Sequence, residues 1–97
     1  MNAEADEKTV RKHVIFHGRV QGVCFRAISA QLSDGYQVVG YVRNLPDGTV
    51  ELEAQGATGE VEGFLGAIGR EFTGNIRKAD VGEMEIQGGE GDFRIAY

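Results

Sequence analysis

Arg26 and Asn44 are the two side chains in this sequence around which a reaction can be built. Arg26 closes a glycine-bracketed stretch, Gly18-Arg19-Val20-Gln21-Gly22-Val23-Cys24-Phe25, which leaves a short apolar run at Val14–Phe16 and enters a helical pattern near Cys24. A loop of this kind exposes its own backbone. Successive N–H groups in a strand-to-helix turn form a concave nest, and the helix N-terminus adds about half a positive charge. A guanidinium in the first helical turn can grip a phosphate through two parallel hydrogen bonds. Gly18–Arg26 therefore reads as an anion site for a phosphate group. The plainer reading is an ordinary strand–helix loop with a solvated Arg, and the loop alone leaves both open, because short Gly-rich patterns are common.

The elements that must position these residues follow from the hydrophobic pattern. His13–His17 is suited to a central strand. Phe25, Ile28 and Leu32 then recur at helical spacing, and Gly35 stands where that helix should end. Tyr36–Val42 is rich in β-formers, and Leu45-Pro46-Asp47-Gly48 is a turn, with Asp47 serving its geometry. Thr49–Gln55 alternates, with Val50, Leu52 and Ala54 on one face and Glu51, Glu53 and Gln55 on the other. Thr58 is the expected N-cap of a second helix marked by Val61, Phe64, Leu65, Ile68 and Phe72. Gly63, Gly66 and Gly69 each weaken that helix by roughly 1 kcal/mol unless they allow close packing. Ile76–Gln87 reads as a strand with a bulge near Gly82, because Val81 is out of phase with Met84 and Ile86. Phe93, Ile95 and Tyr97 alternate as a closing strand.

The order β-α-β-β-α-β predicts an α+β, ferredoxin-like sandwich: a four- to five-stranded, mainly antiparallel sheet with two helices on one face. A crossover helix makes the first two strands parallel, so their C-terminal ends share one edge of the sheet. The Gly18–Val23 loop leaves one end and Asn44 stands at the other, with Arg26 one helical turn in. Asn44 is a poor base, yet its amide can hold and orient a water beside a bound phosphorus. That set suits hydrolysis of a substrate with a good leaving group, where positioning and electrostatics supply most of the catalysis. Unactivated esters would need a metal, a nucleophile or a general acid.

Gly18-x-Val20-Gln21-Gly22-Val23-x-Phe25-Arg26 and Gly40-Tyr41-Val42-x-Asn44-x-x-Asp47-Gly48, with eighteen residues from Arg26 to Asn44, resemble the two signatures of the acylphosphatase family. The closing Phe93-Arg94-Ile95-Ala96-Tyr97 is similar to that family's C-terminus, and the similarity spans the chain after residue 8. The resemblance implies hydrolysis of small-molecule acyl phosphates to carboxylate and phosphate without metal or other cofactor. It implies that Arg26 binds the phosphate, that Asn44 positions the attacking water, and that Gly18, Arg19, Val20, Gln21, Gly22, Val23, Cys24 and Phe25 form the cradle, which a free phosphate or sulfate ion could also occupy. Ser33-Asp34-Gly35-Tyr36-Gln37 departs from the family's usual run there, and the second helix lacks the Gly-Pro that often follows it. Both lie away from the inferred site. The competing class is a non-catalytic ferredoxin-like module that binds an anionic metabolite or a protein partner.

Composition narrows the field. Ninety-seven residues suffice for one core without staples, and we expect a flexible tail at residues 1–8 and a single domain at 9–97. Ten basic and fifteen acidic side chains leave a net charge of −5, which disfavours nucleic acid and anionic membranes as partners. A lone cysteine makes no internal disulfide, and Met1–Arg11 lacks an apolar signal core. The expectation is a soluble cytoplasmic monomer.

Three residues invite other readings. Cys24 lies two residues before Arg26, but cysteine phosphatases need Cys and Arg at the ends of a C-x5-R loop, and Ala30 stands at that position. A partly buried small hydrophobe is the expectation for Cys24. His13 and His17 share a strand face with no carboxylate cluster evident in the nearby sequence, too few ligands for zinc. Arg19 could steer anions, though a solvated side chain is its simpler role.

Overall fold

β1 (Thr9–Gly18), α1 (Phe25–Ser33), β2 (Val39–Asn44), β3 (Val50–Ala57), α2 (Thr58–Glu71), β4 (Ile76–Met84) and β5 (Phe93–Ile95) follow in chain order in the computed structural model, which describes residues 8–97. The strands form one sheet of order β4-β1-β3-β2-β5. β1 and β2 both pair antiparallel with β3, and β5 pairs parallel with β2. The C-terminal ends of β1, β2 and β5 therefore lie along one edge. This is the ferredoxin-like arrangement that the element order predicted.

Alternation decides which face is covered. Val14 and Phe16 of β1 sit opposite Leu52 and Val50 of β3, and all four are buried. The helices close this face with Phe25 from α1 and Val61, Phe64 and Ile68 from α2. Each such side chain contributes roughly 1.5–3 kcal/mol by leaving water. Phe25 also packs its ring against Phe16 and Phe72, with centroids 5.1 and 4.4 Å apart. The start of α1, and with it the end of the glycine-rich loop, is thereby fixed to the core. The glycines of α2 divide: a Cβ at Gly63 would press into the ring of Tyr36, whereas Gly69 faces open space.

Several local expectations are corrected. β1 begins at Thr9 rather than His13, because Lys8 is already tethered through its carbonyl to the N–H and hydroxyl of Thr58. The rest of the expected tail lies outside the described residues. Ala57, not Thr58, is the N-cap of α2, and the Thr58 hydroxyl is engaged by that cross-strand bond instead. The register of β4 on β1 is regular through Gly82 and slips between His17 and Gly18, opposite Arg77. No bulge is needed at Gly82, since Met84 points to the other face from Val81 and Ile86 lies past the strand end.

The face away from the helices is polar and joined up. Arg11, only 1% exposed, bonds Glu53 at 2.8 Å, Gln55 at 3.0 Å and both oxygens of Glu90 at 2.6 and 3.2 Å. Gln55 in turn donates to the carbonyl of Gln87 and accepts from its N–H. The segment between β4 and β5 is thus bound across this face.

Candidate active site

Two buried side chains anchor the loop after β1, Val20 at its start and Phe25 at its end. Between them the backbone is left-handed at Gly22 (φ +77°) and again at Cys24 (φ +61°). A non-glycine residue holds that conformation only where its surroundings impose it. Among the described residues, no acceptor takes the backbone N–H groups of Gln21 through Ala27. The first-turn donors of a helix lack intrahelical partners by construction, and here the loop extends that array. Donors gathered at a helix N-terminus favour an anion.

Arg26 and Asn44 both line a cavity of about 350 Å³ beside this array, together with Gln21, Gly22, Cys24 and Tyr97. Arg26 has no carboxylate within ion-pair distance among the described residues; its guanidinium lies over the Tyr97 ring, 5.0 Å from the centroid. Asn44 ends β2, and its side-chain amide has no hydrogen-bond partner among the described residues. Gln21 sets the distance between the two pieces. Its amide donates to the carbonyls of Leu45 and Thr49, each at 2.8 Å, tying the loop to the turn that follows Asn44. That turn is held by the Asp47 carboxylate, which accepts from the N–H and hydroxyl of Thr49, and these bonds keep its pKa low. The turn-geometry role expected for Asp47 is what the bonds show.

Of the residues expected in the cradle, Val20, Gln21, Gly22, Cys24, Phe25 and Arg26 reach this cavity. Gly18, Arg19 and Val23 do not line it. Gly18 (φ +127°) turns against β4, where a side chain would collide with the carbonyl of Asn75. The N–H of Arg19 is spent on the same carbonyl at 2.9 Å, and Val23 packs on the hydrophobic core. Cys24 is exposed, not partly buried, because its left-handed backbone as N-cap of α1 lifts the side chain out of the core.

Two features escaped the sequence reading. Tyr97 reaches the cavity because β5 runs parallel to β2, a pairing the alternation of Phe93, Ile95 and Tyr97 does not reveal. The histidines are also not remote from carboxylates. His13 Nε2 lies 2.8 Å from Glu51, and ligand atoms of His13, Glu51 and Glu53 all fall within 4.8 Å of one another. Arg11, Tyr41 and Arg43 bond the same two carboxylates, so these atoms belong to a satisfied network on the polar face. Burial raises the pKa of Glu51, but bonds from His13, Arg43 and Tyr41 outweigh it and leave the group low. Burial first, then the bond to Glu53, pushes the Tyr41 phenol up.

Comparisons with known proteins place the whole domain. The family model for acylphosphatase matches residues 12–95. An acylphosphatase of Methanospirillum hungatei is 40% identical over 80 residues, covering 80% of this chain and 88% of its own. One from Geobacillus thermodenitrificans is 40% identical over 89 residues, covering 90% and 94%. The crystal structure of acylphosphatase from Bacillus subtilis superposes with a TM-score of 0.81 at 29% identity, over 91% of this chain and 99% of that one. The chain belongs to the acylphosphatase family.

Proposed function

We propose that the cavity between the Val20–Arg26 loop and Asn44 is where this hydrolase cleaves acyl phosphates, with no metal in the reaction. The phosphoryl group rests against the unpaired N–H array and takes two hydrogen bonds from Arg26. The side-chain oxygen of Asn44 accepts a hydrogen bond from a water and turns its lone pair toward phosphorus. Attack breaks the bond between phosphorus and the acyl oxygen, giving inorganic phosphate and a carboxylate. A carboxylate leaves without being protonated first, which fits a site that offers donors and no general acid. Tyr97 flanks the Arg26 guanidinium and limits its rotamers. The observation that carries this reading is the meeting, in one cavity, of an N–H array, an arginine and an amide that have no hydrogen-bond or ion-pair partner among the described residues. On this reading a phosphate or sulfate ion competes for the same donors, and the protein works as a cytoplasmic monomer.

The test is hydrolysis of benzoyl phosphate, followed by absorbance with EDTA present, comparing wild type with Asn44→Ala. We expect turnover by wild type and a loss of at least roughly 100-fold in the variant, as when a main transition-state contact is removed. Phosphate should remain a competitive inhibitor of the residual activity. A folded wild type that binds phosphate without turnover would instead make the protein a binding module.

A further inference from the structure

One residue before the cavity's first lining residue, the same loop borders a second and larger recess. Its volume is about 590 Å³, and Gly18, Arg19, Gly74, Asn75 and Arg77 line it. Because β4 and β5 are the opposite edges of the sheet, the recess lies on the β4 side of the loop and the Arg26 cavity on the β2 and β5 side. Its lining has two arginines and no carboxylate. Neither Arg19 nor Arg77 forms an ion pair among the described residues, although Arg11, Lys12, Arg43, Lys78 and Arg94 all do. In a chain of net charge −5, two arginines with no ion pair among the described residues, on one concave surface whose lining holds no carboxylate, make that surface positive.

The walls of the recess are fixed. Asn75 accepts from the N–H of Arg19 at 2.9 Å and donates its amide to the carbonyl of Arg19 at 3.2 Å. Its own N–H is held by the carbonyl of Phe72 at 2.9 Å. The register slip at Gly18 brings Arg77 opposite the start of the loop. Arg19 and Val20 are consecutive, so the recess and the Arg26 cavity are bordered by neighbouring residues of one loop.

We propose that this recess binds an anionic group on the acyl part of the substrate, so that acyl phosphates with a second negative charge are the preferred class. The inference rests on the reading of the Arg26 cavity as the seat of the phosphoryl group. A substrate held there by its phosphate extends its acyl chain past Val20, and a carboxylate or phosphate on that chain then meets Arg19 and Arg77.

The test compares wild type and Arg77→Gln on benzoyl phosphate, on neutral 4-carbamoylbenzoyl phosphate, and on the 3- and 4-carboxybenzoyl phosphates. Arg77 is exposed, and its side chain makes no bond in the folded protein among the described residues. We expect the variant to lose roughly 3–10-fold in kcat/KM on a carboxylated substrate, through KM, as fits one partly exposed charge pair. The two uncharged acyl groups should change by less than about twofold, and salt should shrink the carboxylate's advantage. A phosphono group in place of the carboxylate tells which anion is preferred, and a selective loss with either supports the subsite. Equal losses on all substrates, or none, while wild type still turns over benzoyl phosphate, would overturn the subsite alone. No benzoyl phosphate turnover by folded wild type would overturn the reading beneath it as well.

Discussion

Arg11 and Arg26 are the same side chain in two opposite situations. Arg11 is 1% exposed and bonds two carboxylates and an amide across the polar face of the sheet. Arg26 sits at a cavity, its guanidinium over an aromatic ring, with no ion pair among the described residues. A buried guanidinium must be matched internally, because an unpaired one costs several kcal/mol. One at a water-filled cavity stays solvated while empty and can exchange that water for a ligand. The same contrast separates the N–H groups: β1, β2 and β3 are paired on both sides, whereas among the described residues those from Gln21 to Ala27 find no acceptor. Partners supplied from within make structure, and partners left out make a site.

That contrast can be broken from either side. Arg11→Ala strands Glu53 and Glu90, and should lower stability by roughly 3 kcal/mol in denaturant unfolding. Turnover of the still-folded enzyme should stay within about threefold, since the two regions share no partners. Arg26→Ala should do the reverse: at least roughly 100-fold less turnover, about 2.7 kcal/mol of transition-state stabilisation, with the unfolding midpoint nearly unchanged. Loss of stability in Arg26→Ala, or loss of turnover in folded Arg11→Ala, would erase the distinction.

Acid should find the matched region first. The bond from Arg11 holds the Glu90 carboxyl below its ordinary value of 4.5, so the folded state binds fewer protons than the unfolded one. That stability is fully present above about pH 4.5 and is lost as pH falls through the lower folded value. Melting temperature should therefore drop on acidification below pH 4.5, and Glu90→Gln should flatten the slope there. The smallest effect sharpens the rule. The Ser29 hydroxyl is buried in α1 with no hydrogen-bond partner among the described residues, neither matched nor open to a ligand. Ser29→Ala should stabilise the protein by roughly 1 kcal/mol with unchanged kinetics.

Where the sequence was legible, the signal was local. The alternation at Val50, Leu52 and Ala54, the turn at Pro46–Gly48 and the loop before Arg26 each state their geometry within a few residues. The meeting of Arg26 and Asn44 followed from one topological rule, and both residues line one cavity. What stayed hidden depended on register. Arg11 stands outside the predicted first strand, His13–His17, until β1 is seen to begin at Thr9 and to pair with β3 and β4. His13 seems alone until Glu51 and Glu53 arrive from the neighbouring strand. β4 carries no alternating stripe because, as an edge strand, it is exposed along nearly its whole length, so Val81 and Met84 gave no reliable phase.

The place of β1 in the sheet has a consequence during synthesis. β1 leaves the ribosome before its two neighbours, β3 and β4, so its second edge waits until β4 at Ile76–Met84 has been made. At roughly 5–20 residues per second that wait lasts several seconds. Throughout it, Val14 and Phe16 lie on a strand with an open edge, the form most prone to pairing with another nascent chain. The pairing that fixes the start of the loop in the finished protein thus forms late, with only the β2–β5 pairing supplied by a later segment.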